Sequence, residues 1–327
     1  MNAPRPVVPV GENKPAVTSR GPWQQIVLIS LAAVALYLVV RRLPTGTNLS
    51  HMDFRAGANS IEFCDPANPQ FMPVVAVRSP VEMALACDSL PLVAGREAAL
   101  VLTLKTSTGK PVSPEDLLVA HTQKLHLLII DPTLTDYQHV HPLPGRRSGE
   151  WLFSFTPSRT GVYRVFADFT PAATARGLYA RADLTVGTES GADATRSSVG
   201  DSAAELAAYG AVAARDGFHF ALRANAVSIR AGQTTELAFI ISRDDGAPIV
   251  LQPVMAAWAH LVAFDKSRSG FAHLHPNEIY PTDPLDGRAL RLNFKVTFPR
   301  AGRYVIWAQV NTAGREWFVP FALTVEP

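Results

Sequence analysis

The stretch HLLIIDPTLTDYQHVHP, from His126 to Pro142, returns as HLVAFDKSRSGFAHLHP from His260 to Pro276. His126, Asp131, His139, His141 and Pro142 recur as His260, Asp265, His273, His275 and Pro276, each displaced by 134 positions, and Tyr137 answers to Phe271. Self-similarity of this kind identifies a duplicated structural unit before any element is assigned. Upstream, Ala94-Gly95 and the alternating Leu100, Leu102 and Leu104 match Ala231-Gly232 and Leu237, Phe239 and Ile241 at a displacement of 137, as Lys110-Pro111-Val112 matches Ala247-Pro248-Ile249. Downstream, GVYRVFADF from Gly161 matches GRYVIWAQV from Gly302 at 141, and DLTV at Asp183 matches ALTV at Ala322 at 139. The order never changes while the displacement drifts, so the differences are short loop insertions, one of them around Glu278 to Gly287.

Each unit is a run of short segments rich in β-branched and aromatic residues, with alternating polarity, interrupted by Gly, Pro, Asp and Asn at intervals of about eight to twelve residues. That pattern predicts an all-β fold: two tandem immunoglobulin-like β-sandwiches, residues 72–187 and 217–327. Between them, residues 188–216 read as a Gly/Ser/Ala/Asp linker. Its second half can form one short helix capped by Asp201 or Ser202, with Glu205 in the first turn. Residues 43–71 lack periodicity and read as a stalk.

Composition agrees. A hydrophobic fraction of 47% with only 18% charged residues excludes a disordered chain, and 26 prolines in 327 residues disfavour a helical protein. Thirty Lys and Arg against 28 Asp and Glu leave a formal charge of +2, too balanced for a nucleic-acid binder. The apolar residues are of two kinds, because Ile26 to Val40 reads IVLISLAAVALYLVV without a charge. Extended back to Trp23, the stretch reaches the length needed to cross ~30 Å of hydrocarbon, so residues 23–42 are expected to be a transmembrane helix. Trp23 and Tyr37 suit the interfaces, and Arg41 with Arg42 suit the headgroup level. A cleaved signal peptide fits less well, since VVRRLPTG is a poor cleavage site. With a short tail, residues 1–22, in front, and the bulk of the chain behind, the expected arrangement is a signal anchor, the tail cytoplasmic and the remainder outside the cytoplasm.

Six of the nine histidines lie in the repeated motif. If Lys124 to Asp131 and Tyr137 to His141 are the arms of a hairpin turning near Thr133 and Leu134, His139 and His141 share a face and His126 lies almost opposite His141. The same construction gathers His260, His273 and His275. Three neutral imidazoles form a borderline-soft site open to Zn, Cu, Ni or Fe, with Asp131 or Asp265 placed to orient a ring from behind. The competing reading is structural: a histidine before a proline can donate to a backbone carbonyl and fix a corner, and duplication copies that role too. A catalytic or proton-sensing use is the third.

His121 corresponds to Met255; a His/Met choice at one site would suit copper, and the competing reading is an ordinary strand position. His219 and His51 match nothing, and alternation in Phe218-His219-Phe220 turns that imidazole outward. Met52, Met72 and Met83 have no Met-rich spacing, which argues against a Cu(I) thioether site. Cys64 and Cys87 are the only cysteines; outside the cytoplasm such a pair suits a disulfide tying the stalk to the first sandwich, and the spacing is not that of a redox motif. Without G-x-S-x-G, a Walker loop or a dinucleotide fingerprint, no hydrolase, nucleotide or hydride chemistry is indicated and no catalytic residue is assigned.

The Ala-Gly strand entry, HLLIIDPTLTDYQHVHP, GVYRVFADF and the closing DLTV together resemble the bacterial YtkA-like secreted immunoglobulin-like domains, whose sandwich is similar to the CopC type of copper carrier. The resemblance covers both units, about two thirds of the chain. It implies a non-enzymatic, membrane-tethered periplasmic protein of the inner membrane that binds copper for metal handling, resistance or oxidase assembly, with a metal transporter, an oxidase or another periplasmic protein as partner. Carried over by position, it reaches His126, His139, His141, His260, His273 and His275. The N-terminal histidine ligand of copper carriers has no counterpart here. The alternative is an adhesion or scaffold module in which the histidines are structural.

Overall fold

A computed structural model describes residues 21–42, 49–54, 69–87, 91–188, 209–281 and 285–327. Cys64, and with it the expected Cys64–Cys87 pairing, lies outside the described residues, as does the helix expected near Asp201.

Two compact units divide the chain near Gly46. In the first, α1 (Pro22–Arg42) is one uninterrupted helix, with Pro22 in the first turn, where its missing N–H costs nothing. Its 21 residues span ~32 Å at 1.5 Å per residue, and the Pro22–Val40 stretch has a mean hydropathy of 2.0. No side chain from Pro22 to Val40 is buried against protein, so the apolar surface is available all round. This is a helix long and apolar enough to cross a membrane.

The second unit is two sandwiches. In the first, β1 (Val81–Cys87), β2 (Ala98–Thr106), β3 (Leu125–Ile130), β4 (Tyr137–Val140), β5 (Glu150–Phe155), β6 (Gly161–Pro171) and β7 (Leu178–Gly187) form two sheets. One carries β1, β2 and β5; the other runs β7, β6, β3, β4. In the second, β8 (Phe218–Ala224), β9 (Thr234–Arg243) and β12 (Ala289–Thr297) form one sheet, preceded by the edge strand Val212–Arg215. The facing sheet holds β10 (Ala259–Asp265), β11 (Phe271–Leu274), β13 (Gly302–Thr312) and β14 (Arg315–Glu326). The two halves repeat strand for strand: β3 lies between β4 and β6, and β10 lies between β11 and β13.

Two cores follow from alternation. In β2 every second residue points inward, so Leu100, Leu102 and Leu104 join Trp151, Phe155 and Tyr163 in the first core. Leu237, Phe239 and Ile241 join Phe220, Phe294 and Phe321 in the second.

Strands β3 and β10 break the alternation, because all of Leu125–Ile130 and all but the last residue of Ala259–Asp265 are buried. A strand covered on both faces reads as a continuous apolar run. Leu127 and Ile129 point into their own sandwich, while Leu128 and Ile130 point into a third core shared by both sandwiches. There Phe166 lies 6.2 Å from Phe264 and 5.3 Å from Phe271, and Tyr137 lies 5.5 Å from Phe264 and 5.8 Å from Trp307. The Arg268 guanidinium donates across this interface to the Val162 carbonyl at 2.6 Å, and Arg164 donates to the Arg268 carbonyl at 2.8 Å.

The segment read as a stalk has a structural role where it is described. Leu49 and Phe54 are buried in the first core and Phe71 in the second, while the next residue, Met72, expected to open the first sandwich, is buried in the shared core. The Met72 N–H donates to the Phe271 carbonyl at 2.7 Å. Gly270 permits this approach, because a Cβ there would lie 1.7 Å from the Met72 carbonyl oxygen.

Candidate metal centre

The site begins with two hairpins. The Asp131 carboxylate accepts the N–H groups of Thr133, Thr135 and Asp136 at 2.8, 2.7 and 2.9 Å, and Leu134 takes a left-handed conformation, φ +65°. Asp265 repeats this with the Ser269 N–H at 2.6 Å and the Ser267 hydroxyl, and Arg268 is left-handed at φ +52°. Each aspartate therefore ties its own turn and sets the register of the arms. The expectation that Asp131 and Asp265 orient a histidine ring is corrected here: their oxygens are engaged by the turn.

The register pairs Leu128 with His139 and Leu127 with Val140, so one step further His126 stands opposite His141. In the second hairpin Val262 pairs with His273 and Leu261 with Leu274, which sets His260 opposite His275. These histidines share a face with Leu128, Ile130, Val262 and Phe264, the face that packs on the other sandwich. All six motif histidines are thus brought together in two triads, His126/His139/His141 and His260/His273/His275, with the candidate ligand atoms of each within 4.8 Å of one another. The triads also adjoin. The rings of His139 and His273 are 5.3 Å apart, those of His126 and His273 5.7 Å, and those of His139 and His260 6.0 Å.

Hydrogen bonds assign the tautomers. His126 Nε2 lies 3.0 Å from the Ala120 carbonyl and so carries its proton, leaving a lone pair on Nδ1. His260 Nε2 does the same to Val254 at 2.9 Å. His139 Nδ1 donates to Gln309 Oε1 at 2.9 Å, and the amide is fixed because its Nε2 donates to Glu316 at 3.2 Å. His273 Nδ1 donates to the Asp168 carboxylate at 3.1 Å. The remaining nitrogens therefore face each other lone pair to lone pair: His126 Nδ1 and His139 Nε2 at 3.2 Å, His260 Nδ1 and His273 Nε2 at 3.1 Å. His141 Nε2, 3.2 Å from His126 Nδ1, can supply one proton to the first triad. His275 Nε2 is buried with no hydrogen-bond partner among the described residues.

Two acceptors held at that distance repel unless a cation lies between them, and an orphaned buried nitrogen carries a desolvation cost. Around an ion bound at ~2.0–2.1 Å, nitrogens at the corners of a tetrahedron sit ~3.3 Å apart. The donor set, its spacing and its orphan atom all fit a metal ion.

Electrostatics point the same way. Burial pushes all seven clustered histidines below their usual value, His260 down to about 3 and His139, His273 and His275 well down, with neighbouring imidazoles adding to the shift. Burial pushes Asp168 up, opposed by His126 and His121. The cluster is a nest of neutral imidazoles, the protonation state that ligates metals.

Three residues join the cluster beyond the six motif histidines: His121, weighed from the sequence only as a lesser candidate, and Asp168 and Gln309, which were not expected. His121 is no strand residue; it sits in a tight turn at φ +49°, as its counterpart Met255 does at φ +48°, and its ring stacks on His275 at 3.7 Å. Asp168 and Gln309 stand opposite His126 and His260 in the sheets, at corresponding positions of GVYRVFADF and GRYVIWAQV. A polar residue at the same place in the two strands, within the apolar runs 165–169 and 305–310, was the available signal. His121, His126, Asp168, His273 and His275 line a cavity of about 840 Å³. His219 lies apart, exposed and paired with Asp244, and His51 is exposed in a short 3₁₀ turn.

Fold and site together define a tandem immunoglobulin-like protein with a histidine cluster between its two sandwiches. The family model described as "Domain of unknown function (DUF8832)" matches residues 77–187 and 212–327, so the chain belongs to that family. No curated protein matches the sequence. Among solved structures, the chain is similar to a putative membrane anchored protein from Corynebacterium diphtheriae, at 9% identity over 76% of this chain and 59% of that one, TM-score 0.22. It is also similar to the Escherichia coli adhesin FdeC, at 14% identity over 75% and 64%, TM-score 0.20. A third is a DUF4785 family protein from Legionella pneumophila, at 8% identity over 75% and 55%, TM-score 0.24. The chain spans less than two thirds of the length of each.

Proposed function

We propose that this protein is a membrane-anchored, non-enzymatic metal-binding protein, its sandwiches in the periplasm and α1 in the inner membrane, holding copper for metal handling, resistance or oxidase assembly. The observation that carries the reading is the pair of inward-facing lone pairs, His126 Nδ1 against His139 Nε2 and His260 Nδ1 against His273 Nε2, each 3.1–3.2 Å apart and each fixed by a proton on the opposite side of the ring. A histidine that only braced a corner would need one such bond and would not aim its other nitrogen at an acceptor. Imidazole-only sites accept copper, zinc and nickel, and copper(II) binds most tightly of the divalent series. The YtkA-like and CopC-like resemblance supports the same reading, with a metal transporter or an oxidase as the recipient.

The test is metal binding by the full chain in detergent. After chelation, Cu(II) and Zn(II) are titrated into the wild type and into His139→Ala, His273→Ala. Tight binding abolished in the double variant supports the proposal. Binding that is weak in the wild type and unchanged in the variant returns the histidines to a structural role in a scaffold.

A further inference from the structure

We propose that the two triads form a single two-ion centre that neither sandwich can assemble alone, and that its two positions bind with unequal affinity, the His260/His273/His275 position the tighter. The inference rests on the metal-binding reading above and assigns what that reading leaves open: how many ions act together and which residues rank them.

The two sandwiches exchange supporting groups across their interface. His139 belongs to the first sandwich, but the acceptor for its Nδ1 proton, Gln309, belongs to the second. His273 belongs to the second, and its acceptor, Asp168, to the first. Each sandwich orients the middle histidine of the other. Rings from the two triads approach to 5.3 Å, so two bound ions would lie within one cluster and share its electrostatics.

The two triads also differ chemically. The supporting groups occupy equivalent places, yet one is a carboxylate and the other an amide. A carboxylate behind an imidazole raises its basicity and strengthens the ligand, and such partners are worth 10–100-fold in metal affinity. An amide orients the ring without that charge. Among the described residues only the second triad has a carboxylate behind a ring, and it also has the orphaned Nε2 of His275, beside which His121 stacks at the cavity wall. The first triad has His141 Nε2 at 3.2 Å to satisfy His126 Nδ1 without metal. Both differences favour filling the second position first.

The experiment uses the full chain in detergent, stripped with a chelator and titrated with Cu(II), read by calorimetry and by electron paramagnetic resonance. Two steps per chain are expected, with dipolar coupling between the Cu(II) spins once both are filled. Asp168→Asn should weaken the tighter step about 10–100-fold and leave the weaker one in place, Asp168→Glu should restore part of the loss, and circular dichroism should show both variants folded. Gln309→Glu, made with Glu316→Gln so that the new carboxylate lacks a like-charged neighbour, should tighten the weaker step. One ion per chain, two magnetically isolated ions, or an Asp168→Asn effect equal on both steps would overturn the inference and leave metal binding intact. No bound ion at all would overturn the proposed function along with it.

Discussion

Acid should destabilise the metal-free protein through a histidine that the fold keeps neutral. His260 has no exposed surface, and burial holds its titration at about 3, against ~6.5 for an unfolded histidine. Because the folded value is the lower one, the unfolded chain binds the extra proton. Stability is therefore present above pH ~6.5 and is lost as pH falls toward the folded value. Integrating ~1.4 kcal/mol per pH unit from pH 7.5 to 5.0 gives a loss of about 2 kcal/mol from this side chain alone. The measurement is guanidinium unfolding of the full chain in detergent with chelator present, followed by tryptophan fluorescence at both pH values. His260→Gln removes the titrating group, so its loss over the same interval should be about 2 kcal/mol smaller. The subtraction cancels the groups whose titration does not depend on His260, among them Asp168, whose upward shift acts in the opposite direction. Equal losses within about 0.5 kcal/mol would refute the claim that His260 is held neutral by the fold.

Zn(II) at ~100 times its dissociation constant should stabilise the protein by about 2.7 kcal/mol per site, a rise of roughly 5 °C in Tm per ion that a chelator reverses; an unchanged Tm would count against the site. Phe264→Ala, in the core between the sandwiches, should cost about 3–5 kcal/mol in denaturant unfolding, whereas Leu152→Ala, 42% exposed, should stay within about 0.5 kcal/mol; similar costs would deny the third core. Asp265→Ala should cost about 1–3 kcal/mol by stripping the turn of its acceptor while leaving metal affinity unchanged; loss of binding on the scale of His273→Ala would make it a ligand-orienting residue after all. Deleting residues 1–42 should move the protein from the carbonate-resistant membrane fraction to the soluble fraction, and retention on the membrane would assign the anchor elsewhere.

Much of the architecture was legible because its signals are local. The drifting repeat exposes the duplication, and alternation at Leu100, Leu102 and Leu104 exposes a half-buried strand. The hairpin register follows from a turn centred near Thr133 and Leu134, and it predicts the grouping of His126, His139 and His141 that the structure shows. The misassigned role of Asp131 and Asp265 came from weighing nearness in sequence over the needs of the turn: a carboxylate two to five residues ahead of unpaired N–H groups satisfies them first.

The contact between sandwiches was the part the sequence reading did not extract. Pairwise spacing within a unit cannot say what covers its outer face, but the runs in β3 and β10, apolar at consecutive positions, state that both faces are covered. Once those strands are read as doubly buried, their outward residues must meet a partner, and the equivalent face of the other copy is present in the same chain. His126, His139 and His141 sit on that outward face, so the packing that buries Phe166 against Phe264 also brings the two triads together. It further explains why Asp168 and Gln309 can differ at equivalent positions. Each serves the other sandwich's histidine, so a substitution at one position alters one half of the cluster without touching the hydrogen bonds of the other. Duplication supplied two equal triads, and the reciprocal contact is what allows them to become unequal.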